Sequence, residues 1–443
     1  QYDTSAFALF VQDDWRMGPR ITLKYGVRYQ NQFWPDLTYT AFGYPGTYEF
    51  PHDGNNVAPR VAVSWDPIGD RKTAIHGAYG LFYENHITGV AGITDLLDGD
   101  DHIRTLVRTF PNSLPAWNMP GHRLPEAAAG VFPTLKFLID PGLESPYAHH
   151  ATIGVDRELG SLMSVSANYI YARGFNQLGT IDFNPVVPAL GPGRRPQDVN
   201  GIVGTSASIL QYSDFGETWY NGLTLSLNRR YSNGYQFLVS YTLSKAEDNS
   251  TDFQSAFIPQ QNGRGRNPSD VNGLPIGFDP DSERGPSTQD QRHRFVASAV
   301  YSTVGDIQLS TIVTIGSGRP YTILAGEDRN GDGNGGAFPP DRARQNPTDE
   351  ASSVGRNSGT MPYQATVDLR ASRRFQLGPR VYVDGIFEVF NLFDRTNFIE
   401  TNNVSSAFIW GPGAYPTTPL SAFGRFTQAG PPRQIQLAVK LAF

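Results

Sequence analysis

The last ten residues, Gln434–Phe443, read QIQLAVKLAF. In an extended chain Ile435, Leu437, Val439, Leu441 and Phe443 fall on one side, and Gln434, Gln436, Ala438, Lys440 and Ala442 on the other. Successive side chains of a strand point to opposite faces, so this is a strand with one greasy face and one polar or small face. Upstream the pattern recurs. Ile21, Leu23, Tyr25, Val27 and Tyr29 alternate with Thr22, Lys24, Gly26 and Arg28. Leu223, Leu225 and Leu227 alternate with Thr224, Ser226 and Asn228, and Ala365, Val367, Leu369 and Ala371 with Thr366, Asp368, Arg370 and Ser372.

Applied along the chain, the same test predicts about thirteen strands, near 5–16, 21–32, 56–66, 72–85, 146–158, 161–173, 219–231, 234–247, 293–303, 306–322, 363–376, 380–394 and 433–443. Most reach ten residues. Strands of water-soluble domains average about five or six, whereas a tilted strand needs about 9–11 to cross a bilayer. The connections alternate in length. Short turns are expected at Met17–Pro19, Pro67–Arg71, Leu159–Gly160, Ser232–Gly234, Val304–Gly305 and Leu377–Pro379. Between them lie long stretches near 33–55, 86–145, 174–218, 248–292, 323–362 and 395–432. Outer-membrane barrels are built this way, with short turns on the periplasmic side and long loops outside. The expected fold class is therefore all-β, an antiparallel transmembrane β-barrel. Its first and last strands run in the same direction, so the count is odd. Bacterial single-chain barrels have an even number, and the reading places at least one further strand upstream. A propeller, the competing all-β architecture, would show short strands repeating at about 40–50 residues, and no such repeat occurs.

The 443 residues fit this reading. Tyr (21) and Phe (27) are abundant, Gly (46) and Pro (33) supply turns, and there is no cysteine, hence no disulfide framework or thiolate metal site. A net charge of −6 argues against a nucleic-acid partner. Mean hydropathy is only −0.37, as expected where strands are apolar on one face alone. No run of about 18 apolar residues marks a transmembrane helix.

Several segments carry a family resemblance. Phe10–Arg16 (FVQDDWR) with Gly26–Tyr29 (GVRY), Asn56–Asp66 (NVAPRVAVSWD), Gly77–Tyr83 (GAYGLFY), Asp290–Phe295 (DQRHRF), Gly318–Tyr321 (GRPY) and Phe387–Asp394 (FEVFNLFD) occur in this order. Together they resemble the barrel of TonB-dependent outer-membrane receptors, in particular the Oar-like branch. The terminal Phe443 resembles the aromatic C-terminus that barrel-assembly machinery recognises. The resemblance implies that residues 1–443 are the C-terminal part of a 22-strand barrel, with about nine strands and the plug domain lying elsewhere. It implies a non-enzymatic receptor in the outer membrane of a Gram-negative bacterium, embedded in outer-membrane lipid. Such a receptor takes up a small-molecule, saccharide or peptide substrate and draws energy from the inner-membrane TonB complex through N-terminal parts. A surface or adhesion protein, or a passive pore, is the alternative the long loops also allow.

The sharpest local motif is Asp328–Asn334 (DRNGDGN). Oxygen ligands at alternate positions with Gly333 at the sharp turn match the opening of a calcium loop. The expected ligands are Asp328, Asn330, Asp332, the Asn334 carbonyl and Asp341. The twelfth position is Pro339 where a bidentate Glu would stand, so the plain alternative is a polar loop tip. Asp95, Asp98, Asp100 and Asp101 read as a solvated acidic loop. His149 and His150 are neighbours in one strand, as are Asp13 and Asp14. Each pair must split between faces and cannot act on one metal or proton. Trp15, Trp65, Tyr83, Tyr147, Trp219 and Tyr301 are expected in interfacial girdles, and Arg28, Asp368, Arg370, Asp384 and Glu388 on a polar interior face. No catalytic motif was found.

Overall fold

A computed structural model describes residues 4–34, 39–40, 47–48, 51–86, 90, 136–185, 187, 190, 194–196, 209–249, 274–275, 277, 279–303, 305–327, 329, 341–399 and 405–443. Thirteen long strands form one continuous antiparallel path: β1 (Ser5–Arg16), β2 (Ile21–Phe33), β3 (Val57–Trp65), β4 (Thr73–Tyr83), β5 (Tyr147–Leu159), β6 (Met163–Asp182), β7 (Ile209–Ser232), β8 (Tyr235–Asp248), β9 (His293–Ser302), β10 (Ile307–Gly316), β11 (Gln364–Gln376), β12 (Tyr382–Phe390) and β13 (Gln434–Ala442). Each pairs only with its neighbours in sequence along this path. Three short segments, Lys136–Ile139, Leu274–Pro275 and Gly285–Pro286, add to β7, β6 and β8 and bring the sheet to sixteen strands. Among the described residues β1 and β13 are the two free edges of the path.

All thirteen predicted strands are present; the one expected at 306–322 ends earlier, at Gly316, and two others run well past their expected ends. β6 has 20 residues and β7 has 24, so the expected loop at 174–218 is partly strand. Beyond Arg173 the two continue as a ribbon whose register slips around Gly216, and Lys136–Ile139 docks on β7 in parallel. Tyr212, Leu210 and Leu138 are fully buried there. The alternation that marks a half-exposed strand disappears where residues of both faces are buried, which is why the period-two test stopped short.

Register makes the greasy positions one surface. Leu23 lies opposite Val63, Val63 opposite Gly77, Gly77 opposite Ile153, Ile153 opposite Tyr169, Tyr169 opposite Leu223, and Leu223 opposite Leu243. The line continues through Val239, Ala297, Val313 and Val367, and finishes through Leu369, Val389 and Ile435. Much of this band is not covered by protein, with Ile153 60% exposed, Leu243 42% and Val63 41%, whereas Val389 at its loop end is buried. An apolar surface of this extent lies far beyond what a monomeric soluble protein presents to water.

The buried hydrophobic residues sit elsewhere. Tyr321, Ile323, Leu324, Ala343, Val354, Met361, Phe408 and Trp410 form a core inside the two long connections that follow β10 and β12. All long connections leave the same end of the sheet, and the short ones the other. At the short end, Asn233 and Gly234 both have positive φ (52° and 84°), the backbone of a two-residue hairpin turn. Asp66 closes another turn, accepting from the amides of Gly69 (2.7 Å) and Arg71 (2.9 Å).

Candidate functional site: the polar wall and the loop layer

The face opposite the apolar band carries the polar residues, and neighbouring strands pair them. Lys24 meets Asp14 at 3.3 Å, Arg370 meets Glu388 at 3.4 Å, and the Arg374 guanidinium donates to both oxygens of Asp384 at 2.7 and 3.0 Å. His76 lies between Asp156 (3.3 Å) and Asn168 (2.9 Å). Thr224 with Thr242 and Ser226 with Ser240 continue the wall across β7 and β8. The expected interior set therefore shares one face. Arg370, Asp384 and Glu388 are cross-strand ion pairs, Asp368 accepts from the Asn391 amide (2.8 Å), and Arg28 donates to Gln30 (3.1 Å). Exposed pairs of this kind add little to stability. Their use is to keep a wall of charged groups wettable and locally neutral.

The adjacent pairs split as the alternation requires. Asp14 joins Lys24 on the polar face, whereas Asp13 accepts from the Tyr25 hydroxyl (3.2 Å) on the other. His149 takes a hydrogen bond with the Tyr79 hydroxyl (2.6 Å), while the ring of His150 packs on Phe82 at 4.9 Å. Tyr83 and Tyr147 lie ring to ring at 5.6 Å, and Tyr147 stacks on Phe175 at 5.2 Å. On the same face, Arg284 lies over the Trp219 ring at 4.1 Å. Trp15 and Trp65 stand at the short-turn end and Tyr301 beside Tyr235, so the aromatics fall into two rims.

At the long-loop end the connections are tied to each other. Arg342 pairs with the buried carboxylate of Glu283, and Arg356 bonds to the carboxylate and carbonyl of Asp248 and to the Glu283 carbonyl (2.8 Å). Asn357 donates to the Pro286 carbonyl at 2.7 Å. The segments 279–292, 317–327, 341–362, 391–399 and 405–433 are thereby joined in one layer with its own hydrophobic core. Sequence reasoning missed this layer. The only signal was the aromatic content of loops such as Phe408, Trp410, Tyr415 and Phe423.

Of the calcium-loop residues, Asp328, Asn330, Asp332 and Asn334 lie outside the described residues, as does the acidic run at 95–101. Asp341 is described and buried. Its carboxylate accepts from the Arg329 amide (2.7 Å), and its carbonyl from the Ala325 amide (2.6 Å). Ala343 donates back to Ile323, so the described residues on either side of the motif pair as a short two-stranded base. Among the described residues no group of three or more His, Cys, Asp or Glu side chains is placed to hold a metal.

A second arrangement stands at the long-loop ends of β2, β3 and β4. Gln30 donates to the Tyr83 carbonyl (3.1 Å), Gln32 to the His86 carbonyl (2.9 Å), and Asn56 to the Asp53 carbonyl (3.2 Å) and the Ser145 hydroxyl (3.1 Å). Burial pushes the Asp53 carboxyl up, but hydrogen bonds from Ser145, Asn55 and Asn56 outweigh it and hold it below the usual range. Burial lowers the His86 pKa, so the imidazole is neutral at pH 7.

Residues 1–436 match the outer membrane beta-barrel domain. The chain belongs to that family, and its place is the outer membrane of a Gram-negative bacterium. No curated protein sequence matches the chain. Solved structures do match in fold. The outer membrane transporter YddB of Escherichia coli superposes with a TM-score of 0.58 at 12% identity, over 99% of this chain and 45% of that one. The ferric enterobactin receptor PfeA of Pseudomonas aeruginosa, in a mutant form, gives 0.53 at 13% identity, over 99% and 45%. FpvA of Pseudomonas aeruginosa, bound to heterologous pyoverdines, gives 0.51 at 12%, over 99% and 38%. The chain thus spans less than half the length of the transporters and receptors it resembles.

Proposed function

We propose that this chain is the C-terminal part of the barrel of a TonB-dependent receptor. Such a receptor takes up a substrate captured at the long-loop end and draws energy from the inner-membrane coupling complex. The observation that carries the reading is the two-faced sheet. A continuous apolar band faces outward, a charge-paired wall faces inward, and every long connection gathers at one end, where several are packed into a layer. In outer-membrane barrels that end is extracellular. The folds that match are those of an outer membrane transporter and a ferric enterobactin receptor, and they extend well beyond the share this chain covers. Transport, not catalysis, is the role the wall suits, since its carboxylates are paired with cations across strands. The Oar-like motifs support the same assignment at the level of branch.

The reading includes calcium at the 328–341 loop. Asp328, Asn330, Asp332 and Asn334 supply the oxygens, and Asp341 closes the base of the loop and contributes a carboxylate. A hard cation with six to eight oxygen ligands suits that donor set. Calcium should protect the loop from limited proteolysis and chelation should expose it, with Asp332→Ala abolishing the difference. Equal cleavage with and without calcium would leave only a polar loop tip.

Uptake of labelled substrate pools into cells carrying the complete protein, with and without the inner-membrane coupling complex, tests the main reading. Uptake that stops without the complex is the expected result. Uptake that persists identifies a passive pore, and no uptake in either strain leaves a surface or adhesion protein.

A further inference from the structure

On the outward face, the long-loop ends of β5 to β8 change chemistry in regular steps. Ile153, Tyr169, Leu223 and Leu243 lie opposite one another in the last row of the apolar band. One pleat repeat further out, the row is Ala151, Tyr171, Asn221 and Lys245, and the next is His149, Arg173, Trp219 and Glu247. Side chains two residues apart share a face, so all three rows look the same way. The outermost row stands four residues beyond the band, about 13 Å along the strands and about 10 Å in height at the usual tilt. With the band in hydrocarbon, the two outer rows stand in the headgroup layer.

Three cations gather in that layer. The Lys245 ammonium and the Arg284 guanidinium share one carboxylate, Glu247, at 2.7 and 3.1 Å, and Arg173 reaches Glu217 at 2.7 Å. Three positive charges thus meet two negative ones. The side chain of Arg173 is 36% exposed, that of Lys245 48% and that of Arg284 47%. An ammonium carries three N–H groups and a guanidinium five, so donors are left over beyond the carboxylate contacts. The half-buried Trp219 ring lies between the two arginines, its centroid 4.1 Å from the Arg284 guanidinium and 5.4 Å from that of Arg173, and Arg173 also lies over Phe175 at 4.7 Å. These ring contacts hold both guanidinium groups in place. A partner that completes the patch brings acceptor oxygens and negative charge at its head, and apolar chains to lie along Leu223 and Leu243 below. Guanidinium groups suit phosphate in particular. A free anion would leave the apolar rows uncovered, and a zwitterionic lipid would bring a cation of its own to a patch already positive.

We propose that Arg173, Lys245 and Arg284, arrayed around Trp219, form a binding site for a lipid of the outer leaflet whose headgroup carries phosphate and net negative charge. The three cations hold its phosphates, and its acyl chains lie on the apolar rows below. The site rests on the reading above only for which end of the barrel is outside.

The test is titration of the complete protein, in non-ionic detergent, with bisphosphorylated lipid A, its dephosphorylated form, phosphatidylcholine and inorganic phosphate. Native mass spectrometry reads the bound molecules. Lipid A should bind saturably, and the dephosphorylated form and phosphatidylcholine much more weakly. Arg173→Gln, Lys245→Gln and Arg284→Gln should each weaken lipid A by about fivefold, the effect of one cation at an anionic lipid surface. Glu247→Gln, which frees Lys245 and Arg284, should strengthen it, a gain that a purely structural ion-pair cluster would not give. Arg230→Gln, at an exposed position of β7 on the opposite face, should leave it unchanged. Heat-modifiable migration on gels checks that each variant is folded. Equal binding of the phosphorylated and dephosphorylated lipids, binding untouched in all three folded cation variants, or full competition by inorganic phosphate overturns the proposal. Energy-coupled uptake with no lipid A bound rejects the site and leaves the receptor. Lipid A held by the three cations with no coupled uptake does the reverse.

Discussion

At the scale of single residues, Arg356 and Asp53 hold loops to the barrel by different means. The Arg356 side chain is 3% exposed and joins Asp248 of β8 to the segment at 283–285. Removing one partner of a buried ion pair strands the other, at a cost of about 3–5 kcal/mol. Arg356→Ala should therefore open the loop layer to protease at 341–362 while the strands keep their resistance, as limited proteolysis with mass mapping would show. Asp53 is a titratable anchor. Its carboxylate accepts from the Ser145 amide at 2.7 Å, and its pKa lies below the ordinary value. A depressed carboxylate contributes full stability above its unfolded pKa of about 3.9 and loses it as pH falls through the folded value. Protection of the Ser145 amide from hydrogen exchange should thus survive at pH 5 and vanish only in stronger acid. In Asp53→Asn the acid-dependent step should be absent. An unchanged step in that variant would assign it to another group.

At the scale of elements, β13 separates the two faces in adjacent positions. Leu437 sits in the apolar band beside Phe387, and Gln436 on the polar wall beside Glu388. Leu437→Arg places a cation toward hydrocarbon and should cost about 2–4 kcal/mol, most at the bilayer midplane. Gln436→Arg should cost little, having Glu388 opposite. Urea titration of the folded protein in lipid vesicles measures both. Equal penalties would mean that the faces are assigned wrongly. The strands themselves were plain in the sequence, since the alternation in Gln434–Phe443 or Ile21–Tyr29 is local. The extensions of β6 and β7 were not, because side chains on both faces are buried there and the pairing partner Lys136–Ile139 is distant in sequence.

At the scale of the whole molecule, the apolar band and the open edges act together. Unpaired edge strands are not tolerated in hydrocarbon, and among the described residues β1 and β13 lack outer partners. The 443-residue chain expressed alone should aggregate or fail to insert, whereas the complete protein should migrate as a heat-modifiable monomer. A stable, heat-modifiable monomer of the isolated chain would show that the sheet closes on itself, and would remove the argument for further strands. The loop layer adds a second expectation. Because Arg342, Arg356 and Asn357 bind it to the 279–286 segment, it should unfold as one unit, with a single protease-sensitive transition across 317–327, 341–362, 391–399 and 405–433.

The sequence by itself determined the thirteen-strand path, the short and long ends, the inward and outward faces, and the separation of Asp13 from Asp14 and His149 from His150. All of these follow from a period of two, which is a property of the backbone and needs no distant partner. Only the tertiary structure decided that Arg356 meets Asp248, that Arg342 meets Glu283, and that Tyr321 and Phe408 stack at 4.6 Å within a loop core. It alone left the side-chain oxygens of Gln32 and Asn56 buried without a hydrogen-bond partner. Those relations join residues dozens to more than a hundred positions apart through irregular backbone, where no periodicity records which side chain will face which.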